Sequence, residues 1–102
     1  MRKLKKMEKD TNIQLTIEQF EMVEKVVLQN KSAARLLLFF IKEKAKHSTV
    51  KLSYSEIMER LFISYPLVRV GIRFLQNNGY LEKQDFRTLK ATEKPTFNLL
   101  KF

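Results

Sequence analysis

The chain has 102 residues, 44% of them apolar, enough for one small domain with a single core and too many for a wholly disordered chain. It holds no cysteine and one histidine, which excludes disulfides, thiolate metal sites and histidine clusters. A net charge of +9 and a pI near 9.9 favour a polyanionic partner, nucleic acid before an acidic membrane surface or an acidic protein.

The charge runs in blocks. Arg2, Lys3, Lys5, Lys6 and Lys9 crowd the start, and residues 12–30 turn acidic with Glu18, Glu21 and Glu24. Residues 31–51 are basic again, and the last third carries Arg69, Arg73, Lys83, Arg87, Lys90, Lys94 and Lys101. The longest apolar run, LLLFFI at 36–41, is too short to span a bilayer. No signal-peptide apolar segment follows the basic N-terminus. The expected location is the cytoplasm, with no membrane contact.

In chain order, residues 1–11 read as a basic flexible tail and 12–102 as one domain. Asn12–Leu15 suits a short extended piece. Thr16 with Gln19 three residues on forms a capping box, opening a helix that runs to about Gln29. Ile17, Phe20, Val23 and Val27 sit at helical spacing as its expected inner face. Asn30-Lys31-Ser32 breaks it, with Ser32 placed to cap the next helix, about 33–46. That helix carries Ala34, Leu37, Leu38 and Ile41 on one face and Leu36, Phe39 and Phe40 around the rest, so it should be central. His47 reads as a helix-end residue.

Thr49–Leu52 reads as a short strand. Ser53 with Glu56 is a second capping box, for a helix at about 54–61 with Ile57, Met58 and Leu61 inward. Phe62-Ile63 is the turn. Ser64 caps the next helix and Pro66 sits in its first turn, where a missing N–H costs little. The helix stops at Asn78-Gly79. Tyr80–Lys83 is a strand, 85–95 a polar loop, and Thr96–Phe102 the closing strand. This order predicts a mainly α fold with a small β wing (α+β), a winged helix-turn-helix with an extra N-terminal helix.

On the helix at 65–78, Val68, Ile72 and Leu75 share the inner face, with Gly71 at its edge. Arg69, Arg73 and Gln76 fall nearly opposite, beside Tyr65. Arginines there can grip phosphates or fork onto guanine in the major groove, and Ser64 and Tyr65 stand at a helix N-terminus that favours a phosphate. A third stripe, Leu67, Val70 and Phe74 with Gly71 beside it, is apolar where a groove-reading helix should be wet. It predicts a homodimer surface. The alternative is that the first helix or the tail folds over it. In the loop, Lys83, Arg87, Lys90 and Lys94 suit a wing lying on DNA, or else an ordinary solvated hairpin. Nothing here suggests catalysis, a metal or a cofactor.

The expected function is sequence-specific binding of duplex DNA by a dimer at repeated sites. A transcriptional repressor or replication accessory factor fits the same residues. So does a single-strand binder stacking bases on Tyr65, Phe74 and Phe86, and a pure protein-interaction module is the remaining class.

Ser64-Tyr65-Pro66-Leu67-Val68, the leading helix, the apolar third helix and Gly79-Tyr80 at the start of a strand resemble the TubR adaptors of tubulin-like plasmid partition systems. The likeness covers nearly all of 13–102. The winged-helix domain of small plasmid replication initiators is similar too. The TubR resemblance implies a dimer with Leu67, Val70, Gly71 and Phe74 in its interface. It implies that Ser64, Tyr65 and Arg69 face the groove and that Arg87 and Lys90 serve as wing contacts. It also implies centromere repeats as target, autoregulation, and a tubulin-like GTPase (TubZ) as protein partner.

Overall fold

The computed structural model describes residues 14–102. The expected basic tail lies outside them, as do Asn12 and Ile13 of the expected extended piece.

Local rules set the helix boundaries. In α1 (Ile17–Gln29), the Thr16 hydroxyl accepts from the Gln19 N–H at 3.0 Å and the Gln19 side chain accepts from the Thr16 N–H at 3.0 Å. Two orphan amides are thereby satisfied at one end. Asn30 ends α1 and starts α2 (Lys31–Lys46), its extended backbone turning the chain in a single residue. The Asn30 Oδ1 accepts from the Ala33 N–H at 3.0 Å, so Asn30, not Ser32, is the cap. β1 (Val50–Lys51) leads into the second capping box, Ser53 with Glu56, at 2.9 and 3.1 Å, which opens α3 (Tyr54–Leu61). Phe62 closes α3 in the left-handed conformation at φ 56°. α4 (Tyr65–Asn77) follows Ser64 at once and stops at Asn78, where Gly79 takes φ 80°.

α2 is the central helix. It packs against α1, α4 and β1, and α3 packs on α4. Phe40, Leu36 and Leu37 of α2 are fully buried with Ile57, Val68, Ile72, Leu75 and Leu81. Truncating Phe40 to alanine would cost about 3–5 kcal/mol. Gly71 is buried where α4 crosses α2, close to the Ala33 backbone and the Leu36 side chain.

Two expected faces change. α1 turns Val23 and Val26 inward, and Ile17, Phe20, Val27 and Leu28 stay exposed. Of the expected face Val23 is buried, joined by Val26; the contact with α2 takes one edge of the helix's broad apolar face and leaves the rest exposed. Leu38 of α2 is likewise exposed.

The sheet is two-stranded and antiparallel, β1 with β2 (Thr96–Phe97), pairing Val50 with Phe97 and Lys51 with Thr96. The expected strand at 80–83 is reduced to one antiparallel bridge, Leu81 with Leu99. Hydrogen bonds from the Glu82 N–H to Asn98 and from the Leu100 N–H to Tyr80, both 2.9 Å, hold it beside the closing segment. The architecture is mainly helical with this small sheet. No helix among the described residues is long and apolar enough to cross a membrane.

Candidate nucleic-acid interface

The site forms where the outer face of α4 meets the loop 83–95. Burial of Val68, Ile72 and Leu75 fixes the rotation of α4. Arg73 is thereby exposed and Arg69 half-exposed. Tyr65, one turn before Arg69, accepts a hydrogen bond from its guanidinium at 3.3 Å, and the guanidinium carbon stands 5.7 Å from the Tyr65 ring centroid. That hydrogen bond raises the Arg69 pKa above its ordinary value. Arg69 is thereby tethered to Tyr65 on the outer side of α4.

The loop reaches α4 through an aromatic chain. Tyr65 stands 5.7 Å from Tyr54 between ring centroids, Tyr54 is 6.3 Å from Phe86, Phe86 is 5.6 Å from Phe97, and Phe97 is 4.8 Å from Phe40 of the core. The Ser55 N–H donates to the Ala91 carbonyl at 3.0 Å, and the Gln84 side chain donates to the Thr96 carbonyl at 2.9 Å. The loop is thus folded back onto α3 rather than standing free. Phe86 is spent in this packing and Tyr65 is engaged with Tyr54 and Arg69. Both rings are only partly buried.

Between α4 and the loop lies a cavity of about 110 Å³. Arg69 and Arg73 of α4 and Arg87 of the loop all line it, with Tyr54 of α3. Asp85 lines it too. Its carboxylate is forked by Arg87, Nε to Oδ1 at 3.0 Å and Nη2 to Oδ2 at 2.8 Å. These hydrogen bonds hold the Asp85 carboxyl down to about 2.

The other expected contacts are more dispersed. Ser64 precedes α4 with an extended backbone, but its side chain makes no cap hydrogen bond, so it is the N-cap by position only. Lys94 is paired with Glu56 at 3.5 Å, at the start of α3. Lys83 and Lys90 are exposed and do not line the cavity. In the apolar stripe, Leu67 is 44% and Val70 52% exposed, while Phe74 is half-buried against the core. Gly71 is occupied by the α2 crossing and is not open to a second chain. α1 packs on α2 and leaves Leu67 and Val70 exposed.

Sequence reasoning missed Tyr54. It stands first in α3, directly after a capping serine. The available signal was an aromatic residue in the first turn of a short helix, three positions before the inward Ile57. Asp85 as the partner of Arg87 was also missed, although two residues is a spacing at which a loop carboxylate commonly turns back on its own chain.

Comparison with protein-family models, with curated proteins and with solved structures returned no match for this chain.

Proposed function

We propose that this chain is a non-enzymatic, dimeric winged-helix protein that binds duplex DNA at repeated sites. In this reading α4 enters the major groove from its N-terminal end. Arg69 and Arg73 contact base edges or phosphates, with Ser64 and Tyr65 at the helix start. The loop at 83–95 acts as the wing, with Lys83, Arg87, Lys90 and Lys94 on flanking backbone. Leu67, Val70 and Phe74 pair two copies, which suits sites arranged in repeats.

The observation that carries the reading is the convergence of Arg69, Arg73 and Arg87 on one groove in a chain of net charge +9. Asp85 forks Arg87, so the net positive charge there rests on the Arg69 and Arg73 guanidinium groups, and a polyanion offsets their mutual repulsion. The process proposed is plasmid or phage DNA segregation with autoregulation, in the manner of the TubR adaptors, with a tubulin-like GTPase as partner. Chromosomal repression or replication would use the same surface.

The test is the salt dependence of duplex binding. The affinity should fall steeply with salt, and Arg73→Gln should lower the log–log slope by about 1. Binding that is indifferent to salt and to Arg73 would overturn the reading.

A further inference from the structure

The cavity between α4 and the loop has a floor as well as a rim. Tyr54 is only 2% exposed, yet it lines the cavity. The Tyr65 hydroxyl takes a bond from Arg69. The Tyr54 hydroxyl has no hydrogen-bond partner among the described residues. A buried hydroxyl left unpaired is costly, and such groups in folded proteins usually face a water or a ligand. Burial pushes the Tyr54 phenol up, against the pull of Arg69. It therefore keeps its proton and remains a donor.

Arg69 and Arg73 sit one turn apart on the same side of α4 and open onto the same space. The opposing charge is Asp85, and it is neutralised by its fork with Arg87. What remains is a small polar pocket lined by two cations and by Tyr54, whose hydroxyl has no protein partner among the described residues. That donor set suits an oxyanion with several acceptor oxygens.

We propose that this cavity is a binding site for a single tetrahedral oxyanion of the phosphoryl class, held by the Arg69 and Arg73 guanidinium groups and the Tyr54 hydroxyl. The ligand is either one backbone phosphodiester of a nucleic acid or the phosphate of a small molecule. The chemistry is the same for both. The site occupies the surface assigned above to DNA, but its existence does not depend on duplex binding.

The experiment is an NMR titration of the whole chain with inorganic phosphate, against sodium chloride at matched ionic strength. The readouts are the side-chain Nε–H signals of Arg69 and Arg73 and the ring signals of Tyr54. The expected result is saturable shifts with phosphate alone, weakened roughly tenfold in Tyr54→Phe, which keeps the ring and loses the donor. Arg73→Gln, at an exposed position, should weaken it as well without touching the core. Shifts that never saturate, that chloride reproduces, or that Tyr54→Phe leaves unchanged would overturn the proposal.

A second arm separates the sources. If phosphate displaces a bound duplex at constant ionic strength, the site takes a backbone phosphodiester. If phosphate and duplex bind together, it takes a free phosphoryl compound; either outcome supports the site. Phosphate binding without any duplex binding would remove the DNA reading alone. Duplex binding without phosphate saturation would remove the cavity proposal alone.

Discussion

Arg87 holds Asp85 in a closed ring: its backbone N–H and its Nε both donate to Oδ1 at 3.0 Å, and its Nη2 donates to Oδ2 at 2.8 Å. The loop arginine that the proposed reading sets against DNA therefore carries a carboxylate already on its fork. A phosphate must displace or share that carboxylate. Asp85→Asn should raise duplex affinity roughly threefold to tenfold, about the worth of one phosphate contact, as read by fluorescence anisotropy. The carboxyl titrates near 2 in the folded chain, below the unfolded value of about 4. The pairing is therefore intact above about pH 4 and lost only as pH falls towards 2. The gain in the Asn variant should be constant between about pH 5 and pH 8. An affinity that stays level or drops would remove Arg87 from the interface.

Phe62 combines a left-handed backbone, φ 56°, with a side chain 90% exposed. A bulky residue in that region is strained by about 1–2 kcal/mol. The exposed ring returns little burial to offset it. Phe62→Gly should stabilise the chain by about 1 kcal/mol, read as a higher urea midpoint at unchanged slope. A lower midpoint would mean that the ring is packed in solution.

The α4 stripe separates folding from pairing. A Cβ on Gly71 would run into Leu36 Cδ1, and Leu36 is fully buried. Gly71→Ala should therefore force α4 off α2 and cost about 1–3 kcal/mol. Leu67→Glu and Val70→Glu act on exposed positions. Each should keep the helix content of the fold and shift sedimentation from dimer to monomer. A wild-type chain that sediments as a monomer at tens of micromolar would end the dimer assignment.

Glu43 is a buried carboxylate in the central helix, and Arg60 of α3 reaches it at 3.1 Å while standing 5.8 Å over the Phe39 ring. Removing the cation leaves a buried carboxylate without its partner at the edge of the core. Arg60 is half exposed, so Arg60→Met should cost about 1–2 kcal/mol in chemical denaturation. Adding Glu43→Gln in the same chain should return most of that loss. A single-variant cost below about 0.5 kcal/mol would show that water already reaches Glu43.

The local elements were legible because their signals are local. Thr16 with Gln19 and Ser53 with Glu56 each state a helix start within four residues, and Gly79 states a stop. What failed needed a partner to decide it. α1 has one broad apolar face, Ile17, Phe20, Val23, Val26 and Val27, and only the contact with α2 decides that its Val23–Val26 edge is buried. Asn30 and Ser32 are both competent caps, and the one-residue turn selects the first. Gly71 read as an opening for a second chain because sequence shows a missing side chain and not what fills the gap.

For the site, helical periodicity placed Arg69 and Arg73 on one outward face. It could not bring Arg87 to them, since a loop has no period. That meeting depends on Phe86 docking between Tyr54 and Phe97. The same docking packs Phe86 against Tyr54, whose burial its spacing to Ile57 could have suggested but whose place beside the arginines it could not.

The most direct test is footprinting of the wild-type chain and the double variant Arg69→Gln/Arg73→Gln on DNA flanking its own gene, at near-physiological salt. The account predicts that the wild type protects evenly spaced duplex repeats. It predicts that the double variant, still folded, loses roughly 100-fold in affinity. A wild type that protects nothing, or a double variant that protects the same repeats equally well, would contradict it.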